Sequence, residues 1–252
     1  VLMVVRNCPH FIALFFGAIK AGIVPVAVNT MLRPQDYSFL IGDCGDAVLI
    51  YSACFAGFIE PALAESPHRP DHTLTMEEFF MRSLSQPDAL DAAPATEMDD
   101  CFWLYSSGST GNPKGVVHPH RSMVCTSERF AANTAGLRED DIVFSVSKLF
   151  HSYGFGNAMT FPLWVGATIV LSDERVTPQM SFEIIARFRP TVFFGVPTLY
   201  AQQLRAMETG KPDLSSLRIC ISAGEALPGD VFRRWKEQTD TVIIDGLGST
   251  EN

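Results

Sequence analysis

The segment YSSGSTGNPKG, residues 105–115, gathers four hydroxyl side chains, three glycines and a lysine at the end of the apolar run FWLYSS (102–107). That mixture suits phosphate. Glycine lets the backbone approach an anion and turn its N–H groups inward; Ser106, Ser107, Ser109 and Thr110 add neutral donors, and Lys114 adds a point charge. The Walker pattern GxxxxGK[ST] does not fit. Counted from Gly108, Pro113 stands where its second glycine belongs, and Gly115 follows the lysine. The GxSxG of a hydrolase nucleophile elbow is also absent here, which weakens the reading as a serine hydrolase. A flexible Ser/Gly linker would need neither the Pro-Lys-Gly ending nor the flanking strands.

Four further segments carry polar side chains near apolar runs: KLFHSYG (148–154), GVPTLY (195–200), SAGEALP (222–228) and DGLGSTE (245–251). Taken singly, each has a plain explanation. Lys114 alone is a solvated lysine, Thr250-Glu251 a helix cap, His151 a packed ring and Tyr153 core. His118 and His120 form an HxH pair, but no carboxylate or cysteine lies near at ligand spacing, so they read as loop and helix-entry residues.

The elements that must position these residues alternate. VLMVV (1–5), VPVAV (24–28) and AVLIY (47–51) are β-branched runs of strand length, separated by amphipathic helical segments at 9–22 and 33–45. After a Pro-, Asp-, Ala- and Ser-rich stretch from Glu65 to Asp100, helical only at 76–84, a second series follows. Its strands are predicted at 102–107, 141–146, 167–171, 191–196, 217–222 and 241–245. Its helices are predicted near 121–135, 156–165, 178–188, 198–207 and 228–238. Strand–helix alternation predicts α/β architecture with two doubly wound, mainly parallel sheets and flanking helices. The expected domains are 1–98 and 99–252, with the polar stretch a surface excursion between them.

Composition narrows the class. The 252 residues suffice for one large α/β domain or two small ones, and 47% hydrophobic with 19% charged residues is ordinary for a globular protein. A net charge of −9 creates no general attraction for nucleic acid or anionic membrane, so an anionic ligand must be held by local groups. The apolar stretch 11–28 is interrupted by Lys20 and Pro25, and no membrane span is expected. Six scattered cysteines without a CxxC pair read as reduced thiols of a cytoplasmic protein. The chain has no initiator Met and starts and stops inside structured motifs, as expected for a piece of a longer protein.

Residues 105–115 resemble the signature [YF]-[TS]-S-G-[ST]-T-G-x-P-K-G of the adenylate-forming superfamily, which contains acyl-CoA synthetases, luciferases and peptide-synthetase adenylation domains. The four segments above occur in that superfamily's order and spacing. FWLYSSGSTG, GNAMTFPLWVGAT, PTVFFGVPTLYA and GLGSTE are closest to benzoate–CoA ligases and their aryl-acid relatives. The likeness covers essentially the whole chain and implies the core of an N-terminal domain, with the early part of that domain and the mobile C-terminal domain, including its catalytic lysine, absent.

By that resemblance, Ser106, Ser107, Gly108, Ser109, Thr110, Gly111 and Lys114 cradle the β- and γ-phosphates of ATP. Thr250 bonds the α-phosphate, and Glu251 binds Mg²⁺ directly or through water. Asp245 accepts from the adenine amino group, with Gly224, Glu225, Ala226, Gly246 and Leu247 around the nucleotide; Leu247 stands where an aromatic residue is frequent. His151 sits beside the reacting carboxylate, where benzoate ligases usually carry Phe. Ser152, Tyr153, Ala223 and Gly248 map onto an aryl pocket. The implied activity is ATP-dependent ligation of a benzoate-like acid to CoA through acyl-AMP, with the fragment inactive alone. Two alternatives stay open: a truncated domain that only binds nucleotide, and an adenylating enzyme for a fatty or other carboxylic acid. No carboxylate at 151–153 is placed to hold an amino acid's ammonium. The sequence leaves oligomeric state open.

Overall fold

A computed structural model of the chain describes residues 1–106 and 111–251. Ser107, Gly108, Ser109 and Thr110 of the glycine-rich run, together with Asn252, lie outside the described residues. The chain divides into two compact units, Val1–Ser122 and Met123–Thr250.

In the first unit β1 (Leu2–Val4), α1 (Pro9–Lys20), β2 (Val26–Ala27), α2 (Pro34–Cys44) and β3 (Val48–Tyr51) alternate as the periodicity predicts. Both helices open on proline, whose missing N–H costs nothing in a first turn. Asp36 reaches back to the Arg33 N–H at 3.1 Å, and Gly45 closes α2 in the left-handed conformation. A short 3₁₀ turn leads to α3 (Ala56–Glu65), β4 (His72–Thr75) and α4 (Met76–Ser83), then to β5 (Asp100–Ser106) and β6 (Lys114–Pro119). Among the described residues these strands form one sheet in the order β4-β3-β1-β2-β5-β6, parallel except for the antiparallel β5–β6 hairpin. Leu2, Val4, Leu49 and Tyr51 pack with Tyr37, Leu40 and Ile41 of α2 and Ile59 of α3.

Two expectations need correcting. The polar stretch from Glu65 is not all surface excursion, because His72–Thr75 pairs in register with Val48–Tyr51 and extends the sheet. The compositional break at 98–99 is not where the compact units part. The β5–β6 hairpin completes the first sheet, and the division falls after Ser122.

Helix α5 (His120–Thr126) carries the chain into the second unit and continues as a π turn (Ser127–Ala132). There follow β7 (Ile142–Ser145), α6 (Ser152–Phe155), a second π turn (Gly156–Thr160) and α7 (Phe161–Val165), laid end to end. The rest is β8 (Thr168–Val170), α8 (Pro178–Phe188), β9 (Val192–Gly195), α9 (Pro197–Met207), β10 (Ile219–Ser222), α10 (Gly229–Thr239) and β11 (Ile243–Asp245). These strands are all parallel, in the order β11-β10-β9-β7-β8. Phe144, Phe193, Cys220 and Ile243 pack in one cluster with Phe182, Tyr200, Leu204 and Trp235. Val143, Val192, Phe194 and Ile221 pack in another with Ala131 and Leu137. Burial on both faces is why these strands read as continuous apolar runs.

Asp141, 2% exposed, buttresses the amino ends of the strands. It accepts from Arg218 Nε (2.8 Å), Thr191 Oγ1 (2.6 Å) and the Arg138 N–H (2.8 Å). Burial pushes this carboxyl up, but the hydrogen bonds from Arg218 and Thr191 carry it below its ordinary value. The carboxyl ends are left to loops. Among the described residues, no helix is long and apolar enough to cross a membrane.

Candidate functional site

Open α/β sheets take up ligands beyond the carboxyl ends of their strands, where the strand order reverses. In the second unit the chain runs from β7 to β8 on one side and then to β9 on the other, so β7 and β9 flank that point. Segment 148–154 follows β7, 195–200 leaves β9, 222–228 leaves β10, and 245–251 leaves β11. Every second-unit segment singled out in the sequence therefore emerges at the carboxyl edge of this sheet.

Backbone and side-chain bonds knit these loops together. The Gly246 N–H donates to Ser222 O at 2.7 Å, which sets the Asp245 turn beside the Ala223 turn. Asp245 Oδ2 accepts from the Leu227 N–H at 3.2 Å. Thr250 Oγ1 donates to Ser152 Oγ at 3.3 Å. The Tyr153 hydroxyl donates toward Gly195 O (3.0 Å) and Ile221 O (3.3 Å), joining α6 to the ends of β9 and β10. Burial, and then the Asp245 carboxylate, push the Tyr153 phenol well above its ordinary pKa, so it keeps its proton. Ala223 is buried, while Gly224, Glu225, Ala226, Asp245, Leu247 and Gly248 are exposed.

His151 stands at the N-cap position of α6 without a side-chain capping bond, its ring tilted and 4.5 Å from that of Phe150. The surrounding protein lowers its pKa, so the ring is neutral at pH 7 and offers one donor and one acceptor.

Three positioning features escaped the sequence reading. Lys148 Nζ donates to Ser172 O (2.7 Å) and Glu174 O (2.6 Å), clamping the start of the 148–154 loop to the chain beyond β8. A Cβ on Gly154 would lie 2.1 Å from Lys148 O, so only glycine lets α6 fold back over that turn. Tyr200, fully buried, packs its ring against Gly195 and donates to Ile221 O at 3.0 Å. The one signal available beforehand was composition: a lysine inside an apolar run, and glycine next to aromatic residues.

In the first unit, Ser106 ends β5 and Lys114 begins β6, and the two face each other across the antiparallel ladder. They are the two ends of the glycine-rich loop, whose residues 107–110 lie outside the described residues. Gly111 has φ 141°, a conformation that favours glycine, and Gly111, Asn112, Lys114 and Gly115 are exposed. Among the described residues no group of three His, Cys, Asp or Glu side chains is arranged to hold a metal.

A doubly wound parallel sheet whose carboxyl-end loops carry hydroxyls, glycines and acids is the arrangement of a nucleotide-binding α/β protein. The family model described as AMP-binding enzyme matches residues 1–252, and the chain belongs to that family. It is 44% identical to a benzoate–CoA ligase of Thauera aromatica over 100% of this chain and 48% of that protein. It superposes on an anthranilate–CoA ligase solved with anthranoyl-AMP with a TM-score of 0.93 and 38% identity, covering 99% of this chain and 49% of that one. A benzoate–CoA ligase of Burkholderia xenovorans LB400 gives a TM-score of 0.88 at 38% identity, covering 99% of this chain and 50% of that one. The chain thus spans about half the length of the relatives it matches.

Proposed function

We propose that this chain forms the nucleotide- and acid-binding part of an aryl-acid–CoA ligase, which converts a benzoate-like carboxylate into its acyl-AMP and then into the CoA thioester. The observation that carries this reading is the meeting of three loops in one unit. The turns at 222–227 and 245–246 are bonded to each other, and the acid-pocket segment at 152–153 is bonded to Thr250 and to the end of β10.

A carboxylate is a poor acyl donor because oxide is a poor leaving group. Its attack on the α-phosphorus of ATP releases pyrophosphate and leaves a mixed anhydride, from which a thiol expels AMP. The protein's task is to shield the phosphates and align two anions. Ser106 to Gly111 and Lys114 would hold the departing phosphates, and Thr250 would donate to the α-phosphate. Asp245 and residues 224–226 would receive adenine. Ser152, Tyr153, Ala223 and Gly248 would receive the aryl ring, with neutral His151 beside the carboxylate. A Mg²⁺ ion suits Glu251, an exposed hard-oxygen donor, because this cation keeps water and phosphate oxygens in most of its coordination sites. Bound there, it would draw charge from the phosphate oxygens.

Benzoate-dependent pyrophosphate release, followed across a panel of aryl and alkyl acids with the full reading frame, tests this function. We expect aryl acids to lead and the 252-residue chain alone to turn over far more slowly. Preference for a fatty acid, or no acid dependence, would overturn the aryl assignment.

A further inference from the structure

Tyr105 opens the glycine-rich segment, yet the roles proposed above leave it unused. Its hydroxyl donates to Asp43 Oδ2 at 2.8 Å. Asp43 lies in the last turn of α2, where a carboxylate opposes the helix dipole and no basic residue offsets it. Helix formation does not explain an acid at that position; the bond to Tyr105 does. Across the hairpin, Tyr105 is the ladder partner of Gly115, and a Cβ on Gly115 would sit 3.4 Å from Tyr105 Cζ. The ring therefore lies over the glycine that follows Lys114. Ser106 and Lys114, the two ends of the loop, are the next pair along the same ladder.

We infer that Tyr105 and Asp43 are positioning residues for the polyphosphate: their hydrogen bond fixes the Tyr105–Gly115 rung of the hairpin against α2 and so sets where Lys114 starts. This rests on the nucleotide-binding reading given above. Burial, and then the bond to Asp43, hold the phenol pKa far above its ordinary value, so the donor persists across the physiological range.

The inference separates ATP from AMP. Only ATP has the β- and γ-phosphates assigned to Lys114, so losing the tether should weaken ATP and leave AMP unchanged. The test is calorimetric titration of the chain with each nucleotide, in the wild type, Tyr105→Phe, Asp43→Ala and Asp43→Asn, with melting curves to confirm folding. Tyr105→Phe and Asp43→Ala should each weaken ATP about three- to tenfold, the scale of one lost hydrogen bond, and together no more than singly. Asp43→Asn keeps an acceptor while losing the charge, so it should retain the wild-type preference; Asp43→Ala loses both. An ATP preference that survives in Tyr105→Phe and Asp43→Ala, or equal weakening of both nucleotides, overturns the inference alone. A wild-type chain that binds neither nucleotide overturns the functional reading and this inference with it.

Discussion

Thr250 Oγ1 donates to Ser152 Oγ at 3.3 Å, joining a loop after β11 to the first residue of α6 across 98 positions of sequence. In the proposed site Thr250 faces the α-phosphate and Ser152 lies in the wall of the acid pocket. Under that proposal the bond would sit where the two reacting groups meet. It holds the Thr250 side chain in place before the nucleotide arrives; with nucleotide bound, the Ser152 hydroxyl would turn to donate to Thr250 Oγ1 and free the Thr250 proton for the phosphate.

Removing either hydroxyl should be felt in AMP binding. Ser152→Ala and Thr250→Val are each expected to weaken AMP about two- to tenfold, and the double variant no more than the worse single one. Calorimetry on variants of matched melting temperature measures this. Fully additive losses would mean that the two hydroxyls act separately.

Strands buried on both faces were legible because their apolar runs are uninterrupted: IVFS at β7, VFFG at β9 and ICIS at β10. The edge strands of the first sheet were not. β4 reads HTLT and β6 reads KGVVHP, and both lie at the margin of the first sheet. Ladder bonds to one neighbour define them, not side-chain burial, and periodicity does not register ladder bonds. Helix α3 carries Pro61 and buries only Ile59 and Ala62, too little for a periodic signal. Ser152, Thr250 and Asp245 were singled out only through the family resemblance of the segments that carry them. The Lys148 clamp and the need for glycine at 154 were not, because both depend on carbonyl groups whose direction only the fold determines.

Gly154→Ala tests that last point. The new methyl would meet backbone, Lys148 O at 2.1 Å and Ser147 O at 2.6 Å, which cannot swing aside as a side chain can. We expect destabilisation of about 2 kcal/mol or more, with loss of nucleotide and acid binding. Gly17→Ala is the control. Gly17 lies inside α1 with nothing within 4 Å of a built Cβ, so alanine there should stabilise by about 0.5–1 kcal/mol. Matching melting temperatures for the two variants would refute the steric account.

Asp46 gives the chain a pH-dependent weakness. It is 5% exposed, and neither carboxylate oxygen has a hydrogen-bond partner among the described residues. Burial raises its pKa to about 6, although His68 pulls the other way. The folded chain thus holds this proton more tightly than the unfolded chain, whose carboxyl keeps its ordinary value near 3.8. Stability from this group is fully present below that lower value, is lost as pH rises toward about 6, and is level above it. Asp46→Asn mimics the protonated form. It should match the wild type at about pH 3 and exceed it at pH 7 by up to about 3 kcal/mol, the equivalent of a two-unit shift. Other carboxylates titrate identically in both proteins, so the difference in unfolding free energy between them isolates Asp46. A difference that stays constant from about pH 3 to pH 7 would show that the buried carboxyl does not titrate in this range.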